Sequence, residues 1–349
     1  MHTKQHKFIA PADETARLIN EKANQLYQQL LVLDISDTEI DEFGKYYFNN
    51  HHAGKRLIFS IESSADIIYQ SVKLSNKKIS ENTFIDYGAG LGTLFLLAGM
   101  VGFKQVYFND YFPQWAGYAE IICNKLNIKI DGFISGDIDA VIDYGKANQV
   151  SFDIVASRNV VEHIYNLRGF YEKLYNSGLT TICYATTTAN YHNIAMRLKH
   201  YLYHAKVERT LYRKQREELI KELKPAINTT DLNNLVTLTR GRAFEDFTKA
   251  IVLYFDKKQV PSVEFLASNT CDSKTGVWAE NLISKKAYFD IIQKAGFTVT
   301  YTAGFWDKHY KYSAVNFVTG LLNRIIHIAG NKGYWFSPFV NVVAIKKQS

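Results

Sequence analysis

The stretch from Asn82 to Gly92 constrains this chain more than any other. Thr83 to Tyr87 is a short β-branched and aromatic run, the pattern of a buried strand. Gly88, Gly90 and Gly92 follow at alternate positions, and Leu94 to Ala98 continue as an apolar helix start. A strand that feeds a helix through a glycine turn is a nucleotide-binding crossover. Glycine lets the backbone turn tightly and approach a ligand, and the helix start adds a positive dipole. The dinucleotide fingerprint G-x-G-x-x-G needs glycine at position 93. This chain has Thr93 there and reads Asp86-x-Gly88-x-Gly90-x-Gly92.

Acidic residues recur at the ends of the next strands. Gln105 to Asp110 reads as a second strand ending in a carboxylate, 18 positions beyond Gly92. Such a carboxylate can accept both ribose hydroxyl hydrogens. A third strand near Ile128 to Ile134 is followed by Asp137. Any one of these aspartates alone reads as a helix cap; three in strand-end register point to a ligand. Phe152 to Ser157 is the fourth strand and runs into Arg158-Asn-Val-Val-Glu-His-Ile164. Val160, Ile164, Leu167, Tyr171 and Leu174 then predict the buried stripe of a helix. Thr180 to Thr186, Phe297 to Thr302 and Val340 to Ile345 are strands five to seven.

Together these segments resemble the class I S-adenosylmethionine (SAM)-dependent methyltransferases, in a methyltransferase type 11/12-like form. The likeness covers residues 82–188 continuously and resumes at 285–303 and 338–347. It implies an α/β, Rossmann-like doubly wound fold: a mostly parallel seven-stranded sheet with strand seven antiparallel. It also implies SAM as cofactor. The glycine loop of Gly88, Gly90 and Gly92 would pass the methionine end, with Asp86 near its amino group. Asp110 and Tyr111 would meet the ribose, Asp137 the adenine amino group, Ile138 the ring, and Asn159 would close the set. The segment Val160-x-Glu162-His163-Ile164 is similar to one found after strand four in small-molecule methyltransferases. His163 is the candidate general base, because imidazole titrates near neutrality. Metal-dependent relatives, small-RNA 2′-O-methyltransferases among them, carry E-x-x-E-H at this point. Asn159 replaces the first carboxylate here, which weakens a hard-cation site, so no metal is expected.

The remaining chain divides around that core. Residues 1–80 read as an N-terminal helical extension. Asp13 caps a first helix through Ile19, Ala23, Leu26 and Leu30. Asp37 is placed to cap a second, with Ile40 and Phe43 inward. Vicinal His51 and His52 point about 100° apart on a helix and are read as solvent-facing. The core spans 81–189, a helical insertion 190–260, and the return to the core 261–349. The insertion is rich in bases interleaved with Tyr191, Tyr201, Tyr203 and Tyr212. Tyr46, Tyr47, Tyr191 and His192 are the candidate substrate residues, walling a cavity with His163 under the insertion as roof. Residues 315–326 form an amphipathic stripe that suits a membrane surface, a lipid-linked substrate or a core contact.

The net charge is +7, which permits an anionic partner without naming one. The three cysteines, Cys123, Cys183 and Cys271, lie far apart and read as small buried hydrophobes. With no apolar signal core near the start and no run long enough to span a bilayer, the chain reads as cytoplasmic. The acceptor expected is an oxygen of a small molecule or glycan. Two rivals stand beside it. An RNA methyltransferase would show salt-steep RNA affinity. A non-catalytic SAM-binding subunit would yield no methylated product.

Overall fold

The computed structural model describes residues 5–52, 55–260 and 265–347. Its centre is one seven-stranded sheet in the order β3-β2-β1-β4-β5-β7-β6. The strands are β1 Thr83–Tyr87, β2 Gln105–Asp110, β3 Gly132–Ser135, β4 Phe152–Arg158, β5 Thr180–Thr187, β6 Thr298–Ala303 and β7 Val340–Ile345. β1 to β5 pair in parallel, and β7 runs antiparallel between β5 and β6. This is the Rossmann-like α/β sheet that the strand pattern predicts. The order reverses at β1, so the carboxyl ends of β1 and β4 border the crevice where open α/β sheets bind ligands.

Side chains alternate across the sheet and feed two apolar layers. Phe84, Phe108, Ile154 and Ile182 face one layer. Ile85, Tyr107, Val155 and Cys183 face the other. The first layer holds α1 (Glu14–Val32), α3 (Lys55–Ser75), α4 (Leu94–Val101) and α5 (Pro113–Leu126). Ile19, Ala23, Leu26, Ile61 and Ile68 share the cluster of Phe84 and Phe95. The N-terminal extension therefore completes a layer of the core. α2 (Glu42–His52) joins α1 to α3 along the ligand edge. The second layer holds α6 (Ile138–Ala147), α7 (Leu167–Ser177) and α12 (Lys285–Lys294).

Local chemistry moves several boundaries from their predicted places. Asp13 caps α1, its Oδ1 accepting from Ala16 N at 2.9 Å. α2 is capped by Asp41 rather than Asp37, through Gly44 N at 2.7 Å. That start leaves Ile40 buried and turns Phe43 outward. β3 begins at Gly132, not Ile128, because Asn127 ends α5 in the left-handed region and Ile128 N bonds back to Cys123 O. The helix expected from Val160 starts only at Leu167, capped by Asn166. Asn159 at φ 57° and a turn at Val161–His163 intervene, burying Val161 and Glu162 instead of Val160 and Ile164.

The insertion comprises α8 (Ile194–Val207), α9 (Arg213–Leu223), α10 (Thr229–Leu238) and α11 (Phe244–Lys257). It owns a separate apolar cluster that includes Ile220, Leu235, Phe247 and Ile251. A buried ion pair fastens it. Arg216 is fully buried, pairs with Glu208 and donates Nε to Val236 O at 3.1 Å. Glu208 also accepts from the Thr270 hydroxyl at 2.8 Å, tying the insertion to the following loop. The last helix is α13 (Ser313–Ala329). Among the described residues no helix is long and apolar enough to cross a membrane.

Removing one partner of a buried pair leaves the other charge uncompensated, at a cost of about 3–5 kcal/mol. Arg216→Ala should lower the unfolding free energy by that amount in urea titration. A loss near that of an exposed pair, below about 1 kcal/mol, would mean that Glu208 and Thr270 hold the insertion without it.

Candidate functional site

The glycine turn leaves β1 at Gly88, with φ 69°, and passes Gly90 at φ 51°. A Cβ on Gly88 would lie 2.7 Å from both methyls of Val160, and one on Gly90 would lie 3.3 Å from Tyr47 Oη. Conformation and space thus both demand glycine at Gly88, and conformation does at Gly90. Two carboxylates hold the turn. Asp86 Oδ2 accepts from Phe95 N in the first turn of α4 at 2.9 Å. Asp110 Oδ2 accepts from Gly90 N at 2.9 Å, and its Oδ1 from Phe112 N at 3.1 Å. Burial pushes the Asp86 pKa up to about 8, against the pull of Arg158 and Phe95 N. Burial also raises Asp110. A third contact comes from α2: buried His52 donates Nε2–H to Leu91 O at 2.6 Å, and burial lowers its pKa to about 4.

Three adjoining cavities open along this edge. One of about 450 Å³ is lined by Tyr87, Asp110, Tyr111, Asp137, Ile164 and the loop Thr275–Val277, among others. The next, about 250 Å³, lies between Tyr47, Asp86, Gly88, Gly92 and Arg158. The third, about 470 Å³, is bounded by Asn50, Arg56, Ser60, Thr188, Asp307 and Phe339. Asn159 borders all three. His163 borders the first two, and His51 and Arg158 the last two.

His163 sits at the junction with a fixed tautomer. Its Nδ1 lies 2.7 Å from Trp278 O, a carbonyl that can only accept. Nδ1 therefore carries a proton, and in the neutral ring the lone pair is on Nε2. Trp278 is buried, stacks on Tyr165 with centroids 5.4 Å apart, and returns its backbone N–H to His163 O at 3.2 Å. The tryptophan thus anchors the 270–280 loop.

The predicted cofactor residues Asp86, Gly88, Gly90, Gly92, Asp110, Tyr111, Asp137 and Asn159 gather on this edge, and Tyr47 joins them. Asp137 doubles as the α6 cap, accepting from Asp139 N. Ile138 is a correction: it is buried in the second core layer and lines none of these cavities. Tyr46 is another, because it is 70% exposed while its neighbour Tyr47 faces inward. Tyr191 and His192 also lie elsewhere. Arg197 covers the Tyr191 ring at 5.3 Å. His192 Nε2 accepts from Lys285 N at 3.0 Å, and its ring packs on Tyr334 and Trp335. No residue of 190–260 lines these three cavities, so the roof comes from α2, α3 and the 275–277 loop.

The linear reading misses Arg158 and His51. Arg158 donates to Ser60 O at 2.8 Å at the carboxyl end of β4, and its strand-end position was the available signal. The 100° offset of the vicinal histidines holds, but it sends His52 into the core and His51 to a cavity wall. A further set is invisible to spacing. Glu162, His163 and Glu280 bring one ligand atom each within 4.8 Å of one another. Glu162 is fully buried, neither of its carboxylate oxygens has a hydrogen-bond partner, and burial raises its pKa. Two carboxylates and an imidazole match the donor chemistry of a divalent cation. Glu280, far along the chain, thus places a second carboxylate beside Glu162 and His163, where position 159 has an asparagine.

No protein-family model matches the chain, and no curated protein does. Among solved structures it is similar to an S-adenosylmethionine-dependent methyltransferase from Mesorhizobium loti: 10% identity, TM-score 0.39, 80% of this chain and 98% of that one. It is also similar to a chain in the complex between the Haloferax volcanii Trm112 methyltransferase activator and the putative methyltransferase. There the identity is 12% and the TM-score 0.38, over 82% and 93% of the two chains. A putative RNA methyltransferase from Pyrococcus horikoshii matches at 16% identity and TM-score 0.31, over 48% and 72%. These likenesses are distant, and what the site does is read from its own geometry.

Asp110 faces a cleft, yet two backbone N–H groups depend on it. Asp110→Ala should cost about 1–3 kcal/mol of stability, the range for orphaned buried donors. Urea unfolding checks this, and an unchanged midpoint would show that the turn holds without the carboxylate.

Proposed function

We propose that this chain is a SAM-dependent methyltransferase acting on an oxygen of a small molecule or glycan. The observation that carries the reading is the gathering of Asp86, Asp110 and Asp137 along one glycine-turned edge, at the point where the strand order reverses. In this reading the adenosine occupies the 450 Å³ cavity, with Asp110 accepting from the ribose and Asp137 from the adenine amino group. The methionine part occupies the 250 Å³ cavity, where Asp86 meets its amino group and Arg158 its carboxylate. The acceptor enters the 470 Å³ cavity, whose Ser60, Thr188, Arg56 and Asp307 suit a hydroxylated molecule.

The cofactor supplies a methyl group on a sulfonium, a good leaving group. The chain's own contribution is alignment of the acceptor with that methyl, which can supply much of the acceleration. His163 borders the adjoining methionine cavity rather than the acceptor cavity, and its Nε2 takes the hydroxyl proton where the acceptor's oxygen reaches across to the methyl group and attacks. The basic residues of the insertion line none of the three cavities, which favours a small acceptor over RNA. The Glu162–His163–Glu280 set supports a second reading, in which a bound divalent cation orients the acceptor and His163 is a ligand. Turnover lost on chelation and restored by one metal ion would select it.

His163→Ala should lower kcat by about 10²-fold or more and leave the affinity for S-adenosylhomocysteine near wild type. The readout is methylated product by mass spectrometry from acceptor extracts. Cofactor binding without any product would favour the non-catalytic subunit. A pH dependence follows from Asp86. Its carboxyl holds a proton up to about pH 8 in the free protein, and pairing with the ligand's ammonium requires that proton to leave. Affinity for S-adenosylhomocysteine should therefore rise as pH climbs from 6 towards 8 and flatten above it, with proton release in calorimetry. Asp86→Asn should abolish the slope, and a slope that survives would remove Asp86 from the amino-group site.

A further inference from the structure

Helix α13 inverts the usual burial rule. Its protein-facing side is held by polar anchors beside the half-buried Leu322 and Ile326: Asn316 exchanges two hydrogen bonds with the Tyr310 backbone, and Asn323 exchanges two with the Trp306 backbone. Thr319 is its buried residue. Its outward side is apolar. Val315, Phe317, Val318, Leu321, Ile325 and Ile328 are all exposed, Phe317 at 69% and Ile328 at 83%. Amphipathic helices ordinarily turn the apolar stripe to the core, so this helix is built for an apolar medium outside the molecule. The following turn adds exposed Trp335 and Phe336. That turn meets the start of α8, where Asn193 donates to Ser337 O at 3.0 Å. α8 in turn exposes Ile194, Leu198 and Leu202 at four-residue spacing.

Charge identifies the medium. From Lys308 to Lys347 the chain has no carboxylate, while Lys308, Lys311, Arg324 and Lys332 flank the apolar side. Residues 173–207, which include α8, also lack acids and carry Arg197, Lys199 and Lys206. A second copy meeting this face isologously would set base against base with no acid to pair. An anionic bilayer offers acyl chains to the apolar side and phosphates to the bases. Trp335 and the basic rim then take the interfacial depth where indole and ammonium groups settle.

We infer that α13, the 330–336 turn and the exposed stripe of α8 form a surface that docks on an anionic phospholipid bilayer. The same turn runs through Ser337 to Phe339, which lines the 470 Å³ cavity. The docked face thus lies next to the proposed acceptor opening, although the lipid contact stands apart from the proposed activity.

The test is flotation of the full chain with vesicles of mixed phosphatidylglycerol and phosphatidylcholine, against phosphatidylcholine alone. Binding should require the anionic lipid and weaken with salt. Leu321→Glu with Ile328→Glu should reduce it by about tenfold or more, because each exchanges apolar insertion for repulsion. Both positions are exposed, so the thermal midpoint should stay unchanged. Arg324→Glu with Lys332→Glu should reduce binding while leaving the apolar side intact. Absence of flotation would overturn the inference, as would flotation indifferent to all four substitutions. A dimer in sedimentation that Leu321→Glu dissolves, with no vesicle binding, would also overturn it and make the face a subunit contact.

Discussion

Two hydrogen bonds that buried acids accept from the backbone of the glycine turn and of the helix after it set the rest of this molecule. Asp86 holds the start of α4, and Asp110 holds Gly90. Each carboxylate gives up hydration, which burial opposes, and each recovers part of that loss from backbone N–H groups that would otherwise be orphaned. The arrangement ties β1, β2 and α4 into one rigid corner. It also leaves two acids with raised pKa values beside an open cavity, a combination found where a charged ligand completes the site.

The other elements take their places around that corner. α2 closes on it twice, through His52 on Leu91 and Tyr47 over Gly90. Asn159, in the left-handed region at the end of β4, swings the chain so that His163 turns towards the cavities while Glu162 is buried behind it. The 270–280 loop fixes His163 from behind through Trp278. The insertion therefore acts at a distance. It positions that loop through the Glu208–Thr270 bond and through Tyr165, whose hydroxyl donates to Asp246. The geometry is unlike a lid over the acceptor.

Much of the sheet was legible because buried parallel strands are short apolar runs bounded by turns, as in Thr83–Tyr87 and Phe152–Ser157. The strand-end aspartates were legible for the same reason, since register fixes where they fall. Other features depend on contacts that no local pattern records. Tyr46 and Tyr47 are adjacent, and only the cap at Asp41 decides which faces the cavity. Asn190 and Asn193 bond the 334–337 turn, and His192 packs on that turn while Tyr191 lies under Arg197, both away from the three cavities. Glu280 meets Glu162 across a long separation in sequence that no motif spacing records. The α13 stripe was visible, but its outward orientation follows from hydrogen bonds of Asn316 and Asn323, which periodicity does not contain.

In the proposed function the glycine-turned edge holds S-adenosylmethionine rather than a dinucleotide. Titration calorimetry with S-adenosylhomocysteine and with NAD, on wild type and Arg158→Met, tests it most directly. Saturable binding of S-adenosylhomocysteine, none of NAD, and a loss of about 1.5–3 kcal/mol on removing the guanidinium are the predicted result. NAD binding with equal or greater affinity, or S-adenosylhomocysteine binding that ignores Arg158, would contradict the account.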